Sequence, residues 1–205
     1  MAAAATTSRP FLTMERFSNS VVIIAFVGVI LIFTAFAPGF LTPGNLYNVI
    51  ANKVVLLAIV ALGMSIVIAA GGIDLSVGVA IDLSSMSFIM AIQSGYALPL
   101  AILAGLLTAA AVGMVNAVLI NKLRIDPFLA TLGVLFIGKS TQQLATQGGQ
   151  PIYLTRPDLA APFDAIVSTS VLGVPTPILV LILCAIVVYL ALHRSVFGRY
   201  VAALG

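Results

Sequence analysis

Charge is what this sequence has least of: 7% of its 205 residues are Asp, Glu, Lys or Arg, where a soluble domain carries about a quarter. With 61% hydrophobic residues and a mean hydropathy of +1.22, it cannot build a water-facing surface. The single cysteine, Cys184, excludes an internal disulfide and disfavours a thiolate metal site. The single histidine, His193, sits beside Arg194 at a helix end, where interface anchoring and dipole compensation account for it. No H-E-x-x-H, G-x-S-x-G or Walker A loop is present, so the chain is not read as an enzyme, and any ATP hydrolysis falls to another protein. The nine Lys and Arg are scattered, and a net charge of +3 spread in this way does not describe a nucleic-acid surface.

What is present is a series of long uncharged runs. The first, Ser20 to Ala37, is 18 residues long and ends at Pro38-Gly39, spanning about 27 Å as a helix. Its Ala35-Phe36-Ala37 resembles a signal-peptide cleavage site, but the run is long enough to span and Pro38 would follow the cut, so it is kept as a membrane helix. A turn at Thr42-Pro43-Gly44-Asn45 precedes a second run, Val54 to Ile73, which can begin as early as Leu46. A third follows Asp74 and reaches Ser94. From Leu83 to Asn121 no residue is charged; one straight helix of that length would measure about 58 Å, roughly twice the hydrocarbon thickness. The chain must therefore turn back at Gly95–Pro99, giving a fourth helix from Leu98 to Ile120. A fifth opens at Asp126-Pro127, a cap followed by a proline in the first turn, and fades near Gln147-Gly148-Gly149. After a polar connection, Pro175-Thr176-Pro177 opens a sixth that ends at His193-Arg194. The expected fold is all-α, a polytopic transmembrane bundle with about six spans in one domain, residues 1–205.

Cytoplasmic loops are enriched in Lys and Arg. Arg9 and Arg16, then Lys122 and Arg124, then Arg194 and Arg199 all fall on one side of a six-span chain, which gives a cytoplasmic N-terminus. Lys53 is the exception and can snorkel. The outer side then holds the segment from Gln147 to Val174, with Tyr153, Arg156, Asp158 and Asp164, read as a solvated loop that can dock a partner. In the fourth helix Ala101, Gly105, Ala109, Gly113 and Ala117 recur every four residues and are read as one packing stripe.

The most informative segment is GGIDLSVG, Gly71 to Gly78. Gly71 and Gly72 free the backbone for a sharp break, and Asp74 or Ser76 can cap the next helix. Two readings remain open: a capped turn between helices, or a break at membrane depth that offers polar groups to a substrate.

GGIDLSVG, preceded by Ala61-Leu62-Gly63-Met64-Ser65-Ile66-Val67-Ile68, resembles the signature of the permeases that import ribose, xylose, arabinose and galactosides with ABC ATPases. Asn45-Leu46, Pro127-Phe128-Leu129-Ala130-Thr131-Leu132-Gly133 and Gly198-Arg199 are similar to the family's pattern in the same order. The resemblance implies a permease subunit of an ATP-driven sugar importer in the bacterial inner membrane, with no cofactor of its own. It implies a second permease subunit, ABC ATPase subunits that bind ATP and Mg, and a periplasmic sugar-binding protein as partners, besides membrane lipid and without nucleic acid. The chain departs from the family at Asp82, where a small apolar residue is usual, and at Lys139-Ser140, where Arg-Gly is usual. Ala202-Ala203-Leu204-Gly205 is similar to the start of a YAIGGN segment without its Tyr, and the chain is expected to be cut short at its C-terminus.

Asp82 lies within a span, where a carboxylate costs roughly 3 kcal/mol on the lenient insertion scale. Either Asp82 pairs with Lys139 across the third and fifth helices, or Lys139 snorkels and Asp82 meets water or a backbone group. Asn116 and Thr131 are placed on the substrate pathway with Gly71, Gly72, Asp74, Ser76, Gly78, Asp82 and Lys139, although polar side chains in bundles often bond to neighbouring helices. A secondary transporter or channel for small polar solutes, and a nonfunctional remnant, are the competing readings.

Overall fold

The computed structural model describes residues 11–205 apart from Arg156, with side chains from Val21 onward except at Arg156, Pro157 and Ala160. Arg9, Arg156 and the side chain of Arg16 therefore lie outside the described residues. Two compact units are formed, Met1–Ile50 and Ala51–Gly205.

In the first unit, α1 (Phe11–Phe36) carries the first apolar run and exposes nearly all of its described side chains. Gly39, at φ +87°, allows the turn that follows. Thr42 then caps α2 (Pro43–Asn48) by accepting from the Asn45 N–H at 3.4 Å, while the Asn45 side chain donates to the Phe40 carbonyl at 2.7 Å. The helical backbone continues through a π-helical stretch, Val49–Val54, into α3 (Val55–Ala69).

In the second unit, α3 is followed by α4 (Val77–Gln93), α5 (Leu98–Ala117) with a π-helical end at Val118–Lys122, α6 (Pro127–Ala145), α7 (Pro157–Ser168), α8 (Thr176–Arg194) and α9 (Val196–Leu204). Prolines stand in the first turns of α5, α6 and α8, where no N–H is needed, and Asp126 Oδ1 accepts from the Phe128 N–H at 3.0 Å to cap α6. The six expected spans are thus all helical. Three stretches, Pro43–Ala69, Leu98–Lys122 and Thr176–Arg194, are each long and apolar enough to cross a membrane. The polar connection is more ordered than its composition suggests. It holds α7 and a two-residue hairpin, β1 (Ser170–Val171) with β2 (Val174–Pro175), turned by Leu172 and Gly173 at positive φ.

α4 is the central helix. It packs along α5 in the opposite sense, with the Ser84 hydroxyl donating to the Gly105 carbonyl at 2.9 Å and Thr108 donating to Ser87 at 2.9 Å. It packs along α6 in the same sense, with Val79 and Leu83 meeting Val134 and Gly138, and a small core of Val79, Leu83, Val112 and Val134 lies between the three helices. Phe163 of α7 closes on Phe88, ring centroids 5.0 Å apart. α3 packs along α8, and α9 folds back on α8 at Gly198, which leaves no space for a side chain beside Leu192.

The small-residue stripe does not form a single contact face. Ala101 and Gly105 are buried, Ala109 is half-buried, and Gly113 and Ala117 are exposed. An α-helix has 3.6 residues per turn, so a step of four advances by about 40° and the stripe winds off the contact. Val112 and Asn116 continue the buried side instead.

A Cβ on Gly138 would lie 2.7 Å from Val79 Cγ2 and 3.0 Å from its Cγ1. Gly138→Leu is expected to force α4 and α6 apart and to lower stability by about 1–3 kcal/mol, and Val79→Ala in the same chain to restore part of the loss. Thermal unfolding in detergent checks both.

Candidate functional site

The GGIDLSVG segment forms a tight polar node. Gly71, at φ +73°, reverses the chain after α3 and lies with its backbone against Leu204 and Gly205. Gly72 presses against Val67, and Gly78 has open space around it. Ser76, fully buried, precedes α4. Its backbone N–H donates to Asp74 Oδ1 at 2.8 Å, and its hydroxyl donates to the same oxygen at 2.7 Å. Asp74 thus fixes the break through Ser76, while the first turn of α4 receives no side-chain cap, so neither Asp74 nor Ser76 caps the helix as the sequence suggested.

Two residues from other helices meet this node. Asn116, on α5 and 7% exposed, donates its Nδ2 to Ser76 Oγ at 2.6 Å. Thr131, on α6 and 2% exposed, donates to the Pro127 carbonyl at 2.8 Å and reaches the Ile73 carbonyl at 3.4 Å. Asp74, Ser76, Asn116 and Thr131, four of the residues singled out from the sequence, are therefore brought together, and with them Gly71, Gly72 and Gly78 by chain continuity. The node sits at the end of the bundle that carries the α5–α6 connection with Lys122 and Arg124.

The direction of each hydrogen bond follows from chemistry. A backbone N–H can only donate, so Asp74 Oδ1 is an acceptor, and it takes the Ser76 hydroxyl proton as well. Ser76 Oγ then has only lone pairs left for Asn116, which must present its NH₂. That orientation leaves Asn116 Oδ1 buried without a hydrogen-bond partner among the described residues. Such an atom costs about 1–3 kcal/mol.

Asp82 and Lys139 are not brought together. Both side chains are exposed and no ion pair joins them among the described residues. Gly138 faces α4, and Gln142 and Thr146 share that side, so Lys139 is turned about 100° from it. Asp82 instead lines a pocket of about 180 Å³ with Gln142, Thr146 and Gln150. These three neighbours were not anticipated; the cue was a cluster of amide and hydroxyl side chains late in a membrane helix. His193 ring-stacks on Tyr189 at 4.6 Å, as suits a helix-end anchor.

A family model described as branched-chain amino acid transport system / permease component matches residues 46–205. The chain belongs to this permease family. The galactofuranose transporter permease protein YtfT of Escherichia coli (strain K12) is 34% identical over 190 residues, 89% of this chain and 54% of the relative. The autoinducer 2 import system permease protein LsrD of Escherichia coli (strain K12) is 36% identical over 150 residues, 73% of this chain and 46% of the relative. LsrD of Shigella flexneri gives the same identity and coverage. The permease chain spans about half the length of these curated relatives. No solved structure matches it. Membership and the apolar helices together make the chain a multi-pass membrane protein, and the node lies inside the matched region.

Ser76→Ala removes both the hydroxyl donor to Asp74 and the acceptor for Asn116, and leaves the backbone N–H bond to Asp74 in place. It is expected to cost about 1–3 kcal/mol. Asn116→Leu removes the unpaired Oδ1 together with the donor and is expected to cost less. Comparing the two melts in the same detergent checks the assigned bond directions, and an equal or reversed order contradicts them.

Proposed function

We propose that this chain is a membrane-spanning permease subunit of an ATP-driven sugar importer and supplies part of the translocation path. The observation that carries the reading is the 34% identity to a galactofuranose transporter permease across 89% of the chain. In this reading the chain is a transport subunit and no enzyme. ABC ATPase subunits bind ATP and Mg, a periplasmic sugar-binding protein delivers the solute, and a second permease subunit completes the path through the inner membrane.

The N-terminus is cytoplasmic in this reading, which places Lys122, Arg124 and the Asp74 node toward the cytoplasm and the Asp82 pocket toward the outside. The Lys and Arg at the α5–α6 connection and after α8 support this. α4 and α6 run together away from the node, and α5 returns to it, as an alternating bundle requires. Asp74, Ser76, Asn116 and Thr131 would lie along or beside the path near its inner mouth. Their side chains hold three helices in register there, so motion that opens the path has to act on these bonds.

Reconstituted with its ATPase subunits and binding protein, the permease is expected to accumulate labelled pentose or hexose only when ATP is supplied. Asp74→Ala is expected to reduce uptake at least tenfold. Uptake at full rate without ATP would indicate a secondary transporter, and undiminished uptake in the variant would remove Asp74 from the path. For orientation, in a Cys184→Ser background, Gly148→Cys is expected to react with an impermeant thiol reagent on intact spheroplasts, and Arg124→Cys only after permeabilisation.

A further inference from the structure

Val79 and Leu83 of α4 form the floor of a groove of about 500 Å³ whose walls are α5 and α6. Its lining is almost wholly apolar. Val115 and Leu119 stand on the α5 wall, and Leu129 and Ile137 on the α6 wall. Gly133 leaves the middle of the α6 wall open, with nothing within 4 Å of where its Cβ would be. Val115, Leu129 and Ile137 are exposed, so the groove faces outward from the three-helix core. It follows α6 from Ile125 to Thr141. The helical part of that stretch measures about 21 Å, more than the roughly 15 Å that one leaflet contributes to the hydrocarbon.

The two ends of the groove differ in charge. At one end lie Thr108, Ile137 and Thr141, all uncharged, and Lys139 stands about 160–200° around α6 from Ile137 and Thr141. The α5–α6 connection crosses the other end. Leu119 and Ile125 line the groove there, and Lys122 and Arg124 stand between them in the chain. Both are exposed, and neither side chain makes a hydrogen bond or ion pair among the described residues. Arg124 holds φ +56°, a conformation that glycine and asparagine adopt at lower cost, so the turn itself does not account for an arginine. Asp126 is the one carboxylate of the connection, and its Oδ1 accepts from the Phe128 N–H as the cap of α6. The mouth of the groove is left net positive.

We propose that this groove holds one anionic phospholipid, its acyl chain along α5 and α6 and its phosphate at Lys122 and Arg124. Apolar fit alone selects nothing, because an acyl chain gains little from the groove over bulk lipid. The cations supply the selection, since each Lys or Arg near an anionic headgroup favours it by about fivefold, whereas a zwitterionic headgroup brings a balancing cation of its own. Charge also argues against a second copy as the occupant. Copies in one membrane share an orientation, so a helix of another copy would bring its own Lys122 and Arg124 to the same level, cation facing cation. The proposal needs only that the chain spans a membrane, and it stands apart from what is transported.

The test uses fluorescence, because the chain has no tryptophan of its own. Leu129→Trp places a single reporter on the groove wall near the mouth. Phe128→Trp, at the same depth but turned by about 100° on α6, is the control. The full chain is reconstituted in vesicles of phosphatidylcholine with a minor fraction of phosphatidylglycerol, and bromine is carried on the acyl chains of one lipid or the other. At equal mole fraction, brominated phosphatidylglycerol is expected to quench Leu129→Trp more efficiently than brominated phosphatidylcholine by about fivefold or more, and to show much less preference at Phe128→Trp. The preference is expected to vanish when Lys122→Gln and Arg124→Gln are combined, both on the exposed connection. Gly133→Leu, which fills the groove without altering charge, is expected to abolish it as well. No preference at Leu129→Trp would overturn the proposal, as would an unchanged preference in the charge-neutralised chain. Equal preference at the two tryptophans would also overturn it, by marking a diffuse attraction to the connection. Disulfide-linked dimers of Ile137→Cys in a Cys184→Ser background, with Leu129→Trp shielded from both lipids, would give the groove to a second copy instead.

Discussion

In hydrocarbon a polar group has no water to turn to, so every hydroxyl, amide and carboxylate in the bundle must find its partner within the protein or lie along a wet surface. The Ser76 hydroxyl is where this constraint is tightest. It is fully buried, it has one proton to give, and Asp74 takes it. From that single choice follow the orientation of the Asn116 amide, the attachment of α5 to the break and the unpaired state of Asn116 Oδ1. Thr131 brings α6 beside the same point, its hydroxyl 3.4 Å from the Ile73 carbonyl while its proton goes to the Pro127 carbonyl. Three helices are thereby located by short side chains and not by a large apolar core. The core is small, Val79, Leu83, Val112 and Val134, because in lipid apolar contact between helices brings little gain over contact with acyl chains.

α4 links the two polar regions. At its start it is held by the Ser76 node. One turn on, Val79 and Leu83 close against Gly138. Asp82, on a different side of the same turns, opens onto the α6 pocket. A helix of 17 residues is a stiff rod about 25 Å long, so the node cannot shift without the pocket wall shifting too. The close approach at Gly138 lies between them. It exists because glycine lets the two backbones come nearer than any side chain would allow.

The helices were legible in the sequence because the signals that mark them are local. Asp126-Pro127, Leu98-Pro99 and Pro175-Thr176-Pro177 each start a helix by chemistry contained in two or three residues, and the uncharged runs set the lengths. The composition of the Asp74 node was legible in the same way, through GGIDLSVG. That Asn116 and Thr131 meet it was not, since both contacts join residues tens of positions apart and no spacing rule reports them. α7 was hidden because Pro157, Pro162, Asp158 and Asp164 give it the composition of a loop. Its docking joins it to α4, α5 and α8, distant in sequence or beyond the hairpin, with Phe163 on Phe88 the ring contact among them. The small-residue stripe was seen but read as straight, and helical drift carried its second half out of the interface.

The absence of an Asp82–Lys139 pair has the same origin, and its consequence is larger. Two opposite charges on neighbouring helices meet only if both face the seam, and a residue one position off is rotated by about 100°. Lys139 is one position past the glycine that defines the α6 seam, so its long side chain leaves the bundle, where the stem can lie on apolar surface and the charge can reach the interface. Asp82 has no such reach. Its short side chain stays where the backbone puts it, exposed at the edge of the pocket it lines with Gln142, Thr146 and Gln150. The one-residue offset at Lys139 therefore separates two charges that neighbouring helices could otherwise have neutralised, and each stands exposed at its own position.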